Sequence, residues 1–363
     1  MTELELKLNG VRDLLARHQL DALLLQRVSS FAWATCGAAS YINTASSYGE
    51  ASLLITPAGR YLLTNNIEAP HYEKEEHLAA QGWEFRIAPW YAANNAVTEL
   101  TRGLKLAADG PYSGAADLSG EIARLRANLL PEEGERFREL SRLSAGALDK
   151  AIRSVRPGLS EYEIAAVLGA EAQCLGVQPI VNLIATDDRI FNFRHPLPTD
   201  KKLDHYAMLV LCGRKWGLVC SVTRLVHFGR LPADLQRKME AVARIDAAFI
   251  HATRPGRTIN QVFQAATDMY RETGFADEWQ LHHQGGPAAY EPREFVGTPT
   301  VTDPVTVGQA YAWNPSITGA KSEDTFLVGP NGNEVITTIP GWPMLSIDID
   351  GQTIPRPAIL EIV

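Results

Sequence analysis

Two parts of the chain repeat the same succession of helix, Arg-Pro-Gly turn and helix, and this repeat limits the fold more than any other feature. Arg156-Pro157-Gly158 separates the first pair of predicted helices, and Arg254-Pro255-Gly256 separates the second, 98 residues further along. Ser160 and Glu163 form a capping-box pattern after the first turn. Strand-like segments follow each copy. A duplicated α+β unit with a pseudo-twofold axis predicts a cleft between its halves, where ligand sites commonly form.

The residues before this repeat predict a separate, smaller α/β domain. Leucines at helical spacing predict a helix over residues 3–18, and the apolar run at 22–25 predicts a strand. A turn between residues 51–55 and 61–64 predicts a hairpin. A charged, amphipathic helix begins near residue 131. We therefore expect an α/β (α+β) protein with one domain at residues 1–134 and a second at 135–363.

Charge and composition exclude several classes of protein. A formal net charge of −8 argues against a nucleic-acid binder, which usually carries a basic face. No run of about 18 apolar residues predicts a membrane span, and the charged N-terminus lacks the apolar core of a signal peptide. Scattered cysteines without a CxxC pattern predict reduced thiols in a cytoplasmic protein. These are Cys36, Cys174, Cys212 and Cys220.

Five local motifs occur in a fixed order across residues 140–330. They are His195 to Leu203, the hairpin Leu209 to Gly229 with Thr223-Arg224 near its end, His283 to Glu291, Gly308 to Pro315, and Ser322 to Val328. Their order and spacing resemble those of the creatinase and aminopeptidase P family, whose catalytic domain has the pita-bread fold. The first domain resembles the creatinase N-terminal domain more loosely. The resemblance implies a hydrolase and a homodimer.

The resemblance also implies where a pair of catalytic metal ions would be held. Metal-using members employ two aspartates, one histidine and two glutamates, because hard cations need several anionic oxygen ligands. The matching positions here are Leu211, Ser221 (or Val222 if the hairpin is not shortened), His283, Asn314 and Glu323. One histidine and one carboxylate cannot organise two cations. We therefore expect no bound metal pair and no other cofactor, with a single ion held loosely by His283 and Glu323 as the alternative that stays open.

Creatinase, a family member that cleaves a C–N bond without a metal, provides the alternative chemistry. The resemblance implies that His195 transfers protons and that His283 and Glu323 complete the catalytic set, while His282 is expected only to support the site. Lys321 is a candidate for binding an anionic group of the substrate. Six further residues are predicted to contact the substrate: Tyr290, Glu291, Asn314, Trp313, Ser221 and Arg194.

Three functions remain open at this point. The first is a metal-independent hydrolase of an amide, amidine or similar C–N bond in a small or short peptide-like molecule. The second is an Xaa-Pro-type metallopeptidase, against which the missing ligands argue. The third is a non-catalytic pita-bread binding protein, since a fold alone does not fix a function.

Overall fold

A computed structural model describes residues 1–363, and the chain divides into two compact units. The first unit comprises residues 1–132 together with residues 216–218, and the second comprises residues 133–215 and 219–363. This division falls two residues before the sequence-predicted boundary. Residues 216–218, at the turn of a later hairpin, also belong to the first unit. The sequence-based prediction placed a single boundary in the chain and did not include this segment.

The first unit is a six-stranded mixed sheet flanked by helices. Its helices are α1 Glu3–His18, α2 Val28–Ala34, α3 Ala69–Lys74, α4 Ala96–Leu100 and α5 Ser119–Arg126. Its strands are β1 Ala22–Arg27, β2 Tyr48–Thr56, β3 Gly59–Asn65, β4 Glu84–Ala88, β5 Leu106–Ala108 and β6 Ala116–Asp117. The strand order is β4-β3-β2-β1-β5-β6. Thr2 and Glu5 form a capping box that begins α1, and the predicted helix, strand and hairpin all occur.

The helices of the second unit contain the predicted repeat. They are α6 Pro131–Ser154, α7 Glu161–Cys174, α8 Asp188–Asn192, α9 Ala233–Ala252 and α10 Ile259–Glu272. Ser160 caps α7 and Thr258 caps α10, each with a capping box. Each of these caps also forms an isolated β-bridge to a segment further along, Ser160 with Lys202 and Thr258 with Pro304. The two helix–turn–helix copies therefore share the same local contacts as well as the same sequence pattern.

The β part of the second unit consists of twelve strands. The strands are β7 Gln178–Thr186, β8 Tyr206–Lys215, β9 Leu218–Phe228, β10 Gly285–Ala288, β11 Ala310–Trp313, β12 Ser316–Ile317, β13 Ala320–Lys321, β14 Asp324–Val328, β15 Asn333–Val335, β16 Met344–Ile349, β17 Gln352–Pro357 and β18 Leu360–Ile362. They form two four-stranded sheets, β18-β9-β8-β7 and β10-β11-β14-β15, and two two-stranded sheets, β12-β13 and β16-β17. Every residue of β9 is buried, as expected for a strand covered on both faces. None of the helices combines the length and the apolar composition that a membrane span requires.

A buried ionic network ties the C-terminal hairpin to the centre of the second unit. The guanidinium of Arg356, in β17, lies 2.6 Å from Asp246 of α9 and 2.6 Å from Asp324 of β14. Arg224 of β9 pairs with the other oxygen of Asp324 at 2.8 Å. The hydroxyl of Ser322 donates to Asp246 at 2.5 Å. This network therefore lies directly beside the segment that carries Glu323.

Candidate active site

Three histidine side chains meet at one place in the second unit. His195 follows α8, and His282 and His283 lie between a 3-10 turn at Glu278–Leu281 and β10. Nε2 of His195 is 3.0 Å from Nε2 of His282, and the ring centroids of His195 and His283 are 5.4 Å apart. One ring nitrogen of each imidazole lies within 4.8 Å of the other two. His195 and His283, the two histidines predicted to be catalytic, therefore lie close together, and His282 lies beside them.

Gln284 and Gly285 fix the backbone that carries the histidine pair. The amide of Gln284 donates to the carbonyl oxygen of His282 at 2.6 Å, and its Oε1 accepts from the hydroxyl of Tyr270 at 2.9 Å. Gly285 has φ 98°, and a Cβ there would lie 2.2 Å from the carbonyl oxygen of Ala312. Only glycine therefore allows β10 to pair this closely with β11.

Glu323 is buried and bound by two cations. Nζ of Lys321 lies 2.9 Å from its Oε2, a guanidinium nitrogen of Arg293 lies 2.9 Å from its Oε1, and the hydroxyl of Thr223 donates to Oε2 at 2.5 Å. Burial alone would raise the pKa of Glu323, but Lys321 and Arg293 outweigh it and lower this pKa to about 2. The cluster holds two positive charges and one negative charge, so its net charge is positive.

One side chain from each of these two clusters lines the same small cavity. His282 and Lys321 both line it, together with Arg194 and Ser316. The hydroxyl of Ser316 lies 3.4 Å from Nδ1 of His282, which directs the Nε2 edge of that ring toward His195. The imidazoles and the buried charges therefore belong to one site.

The surroundings keep all three imidazoles uncharged. Burial and then Lys321 lower the pKa of His282 to about 2, and burial and then Arg293 lower the pKa of His283 to about 4. Burial and then Lys321 also lower the pKa of His195. A neutral imidazole has a lone pair on one ring nitrogen and can accept a proton. At neutral pH the site therefore holds three neutral imidazoles beside Lys321 and Arg293.

The guanidinium of Arg293 forms a bridge that sequence analysis missed. Nη1 donates to the hydroxyl of Ser221 in β9 at 2.9 Å, while Nη2 donates to Glu323 at 2.9 Å. The side chain of Arg293 is 9% exposed. Its partners lie 72 and 30 residues away in sequence, so no local pattern marks it. His282 carried a signal, the doubled histidine before Gly285, but sequence analysis gave it only a supporting role.

Two aromatic residues predicted to line the pocket lie in the core instead. Trp313 is completely buried, stacks on Phe249 at 4.6 Å and donates from Nε1 to the hydroxyl of Thr253 at 2.9 Å. Tyr290 is 2% exposed, and its hydroxyl donates to Glu133 at 2.5 Å. The predicted ligand contacts are wrong for both residues, because their polar atoms already have protein partners inside the fold.

The other residues predicted to contact the substrate differ in whether their polar atoms already have partners within the protein. The backbone N–H of Asn314 donates to the carbonyl of Gln284 at 3.0 Å, and its buried Oδ1 has no hydrogen-bond partner. Arg194 donates to Glu278 at 2.7 Å, so its guanidinium already holds the 3-10 turn. Glu291 is partly exposed after β10. Asn314 is therefore the candidate with an unused polar atom beside the histidine-bearing segment.

Comparison with known proteins gives the family. The model of metallopeptidase family M24 matches residues 135–330, more than half of the 363 residues. The chain belongs to metallopeptidase family M24. An uncharacterized peptidase of Staphylococcus saprophyticus is 25% identical to this M24 chain over 232 residues, which is 61% of this chain and 65% of that protein. The match therefore covers slightly less than two thirds of that relative.

Solved structures show how widely this M24 fold is shared. An Xaa-Pro dipeptidase from Bacillus anthracis superposes with a TM-score of 0.80 at 18% identity, covering 99% of this chain and 100% of the other. The N-terminal domain of the FACT complex subunit SPT16 from chickpea superposes with a TM-score of 0.72 at 12% identity, covering 93% and 97%. At these identities the likeness establishes the pita-bread fold predicted from the motifs, and not an activity.

The side chains of this M24 chain do not fit a paired metal centre. Leu211 is fully buried in β8 and has no donor atom, and the hydroxyl of Ser221 is occupied by Arg293. Asn314 offers a neutral amide oxygen. Glu323, the one carboxylate at a matching position, is already neutralised by two cations of the protein. Two divalent ions placed here would meet a guanidinium and an ammonium group instead of anionic oxygens.

Proposed function

We propose that this protein hydrolyses the C–N bond of an amide, amidine or related small molecule, without a paired metal centre, by acid–base chemistry at His195. The guanidinium of Arg293 carries this proposal. It bridges Ser221 and Glu323, two positions that match metal ligands in the family resemblance. The positive charge of this guanidinium would therefore take the place of the metal cations that the family binds.

The proposed reaction begins with proton transfer to His195. Its neutral imidazole takes a proton from water as the water oxygen attacks the electrophilic carbon of the substrate. The same nitrogen then returns the proton to the leaving nitrogen, and the C–N bond breaks. His282 faces His195 at 3.0 Å between the two Nε2 atoms. Only one of these nitrogens carries hydrogen, so His282 holds the ring of His195 in place while His283 borders the same space.

Lys321 and Arg293, the two cations around Glu323, have a second role in the proposed reaction. Negative charge develops on the substrate when water adds, and fixed donors in a partly dry site stabilise such charge. Lys321 lines the cavity beside His282, and Arg293 lies on the other side of Glu323. We infer that Glu323 contributes by holding these two cations in position.

The substrate contacts follow from the polar atoms that the protein leaves free. The unpartnered Oδ1 of Asn314 is suited to accept a hydrogen bond from a substrate N–H group. Glu291 is retained as a weaker candidate because of its partial exposure. A small or short peptide-like substrate, a homodimer and a cytoplasmic location remain part of the proposal, as they were expected from sequence.

Two other functions have a specific observation in their favour. The superposition on an Xaa-Pro dipeptidase over nearly the whole chain favours an Xaa-Pro metallopeptidase, while the donor set around Glu323 argues against it. The superposition on a domain of a FACT complex subunit favours a binding protein. That alternative leaves the three clustered neutral histidines without a role.

Hydrolysis by metal-depleted protein tests the proposal. The full chain is treated with a chelator and assayed for amine release from a panel of simple amides, amidines and Xaa-Pro dipeptides. We expect turnover of at least one amide or amidine, at a rate not more than about twofold below that before chelation, because no step needs a metal ion. Cleavage of Xaa-Pro dipeptides alone, restored by about two equivalents of Mn²⁺ or Co²⁺, would favour the metallopeptidase instead.

A further inference from the structure

We propose that His195, His282 and His283 together bind one divalent transition-metal ion of the zinc class, and that the bound ion blocks the acid–base role of His195. The second half of this statement rests on the proposed function, whereas the binding itself does not. His282 distinguishes this site from the paired metal centre of the family, because the family resemblance assigns no metal ligand to its position.

The distances between the imidazoles are close to those of a tetrahedral site. Zinc binds histidine nitrogen at about 2.0–2.1 Å, which places neighbouring ligand nitrogens roughly 3.3 Å apart. The Nε2 atoms of His195 and His282 are already 3.0 Å apart, and one ring nitrogen from each of the three histidines lies within 4.8 Å of the other two. Neighbouring side chains crowd the rings of His195 and His283, but both residues still reach solvent, so an ion can enter and small rotations of these rings can close the site.

The buried member of the trio is held in an orientation suited to binding. His282 is 8% exposed, and the hydroxyl of Ser316 lies 3.4 Å from its Nδ1. A hydrogen-bond partner on one ring nitrogen fixes the other as the ligand atom, as is usual for metal-binding histidines. Nε2 of His282 therefore faces the other two imidazoles.

The charge around the trio limits the kind of ion. Hard cations such as Mg²⁺ and Ca²⁺ need carboxylate ligands, and the only acid in the cluster, Glu323, is already bound to Lys321 and Arg293. Neutral imidazoles suit Zn²⁺, Cu²⁺ and Ni²⁺. The nearby positive charge weakens the binding of any cation and favours an anion as its fourth ligand. We therefore expect one exchangeable ion, which a chelator can remove.

Zinc titration of the purified full chain tests this site. A chromophoric chelator competes for Zn²⁺, and we expect saturable binding of one exchangeable equivalent per chain. His282→Asn keeps a polar atom near Ser316 but lacks Nε2, so its stoichiometry should fall from one to zero, and His283→Asn should show the same loss. His205→Ala, at an exposed histidine of the same unit, and Cys174→Ser, at an exposed thiol, should each still bind one equivalent.

Two further readouts separate this inference from the proposed function. Zn²⁺ should raise the midpoint of thermal unfolding of the wild type and of His205→Ala but not of His282→Asn, because only a ligand of the folded state stabilises it. This result needs no substrate, so it stands even if no hydrolysis is found. Saturable binding that persists in both folded histidine variants, or that disappears in Cys174→Ser, would overturn the site. Full turnover with zinc bound would overturn the inhibition alone.

Discussion

Replacing His195 by alanine is expected to lower kcat roughly 10²–10⁴-fold, the usual contribution of a positioned general acid–base group. The imidazole is the proposed carrier of the proton between water and the leaving nitrogen, and alanine has no group to replace it. KM should change little, because the substrate is held by other groups. The measurement is steady-state hydrolysis of whichever amide or amidine the wild type turns over.

A matched control and a rescue make the His195 experiment specific. His205→Ala removes an exposed histidine of the same unit and should retain the wild-type rate. Imidazole added to His195→Ala should restore part of the lost rate, since a small molecule can occupy the vacated space. A fall in kcat of less than about tenfold, or a variant whose only change is a higher KM, would assign His195 to substrate binding and remove it from the chemistry.

Arg356→Met should cost about 3–5 kcal/mol of unfolding free energy, the typical cost of breaking a buried ion pair. Arg356 is 1% exposed and donates to Asp246 at 2.8 Å and to Asp324 at 2.6 Å. Methionine fills much of the same volume but leaves Asp246 with only a hydroxyl partner. Urea unfolding followed by circular dichroism measures the change.

Two companion variants show that charge pairing causes this loss. Arg356→Met combined with Asp246→Asn removes the unpaired acid and should recover part of the lost stability. Arg142→Met breaks an exposed pair with Glu139 and should cost far less unfolding free energy than Arg356→Met, because solvent screens surface ion pairs. Equal losses at Arg356 and Arg142 would mean that the buried network contributes little beyond packing.

Local signals in the sequence predicted the framework well. The capping residue Ser160 and the repeated Arg-Pro-Gly turns depend on neighbours within a few positions, so a single sequence contains the whole interaction. His195 and His283 were expected to share a site from the order of the motifs, and their rings lie 5.4 Å apart. The caps and turns were predictable because they are properties of short segments, whereas the pairing of His195 with His283 followed from the resemblance to the family.

The chemistry of the site depends on long-range pairing, which a single sequence does not show. Arg293 owes its place to Ser221 and Glu323, residues on two other strands. Trp313 was predicted to contact a ligand, but burial on both faces of β11 places it in the core. Alternating exposure cannot be read from an apolar strand whose two faces are both covered.

A crystal grown in the presence of Mn²⁺, measured by anomalous scattering, tests most directly whether protein cations replace the paired metals. We expect ordered density for the guanidinium of Arg293 between Ser221 and Glu323, with no anomalous peak beside Glu323. Two peaks about 3.5–4 Å apart at that position, with Arg293 turned away, would contradict the replacement of the metal pair by Arg293 and Lys321.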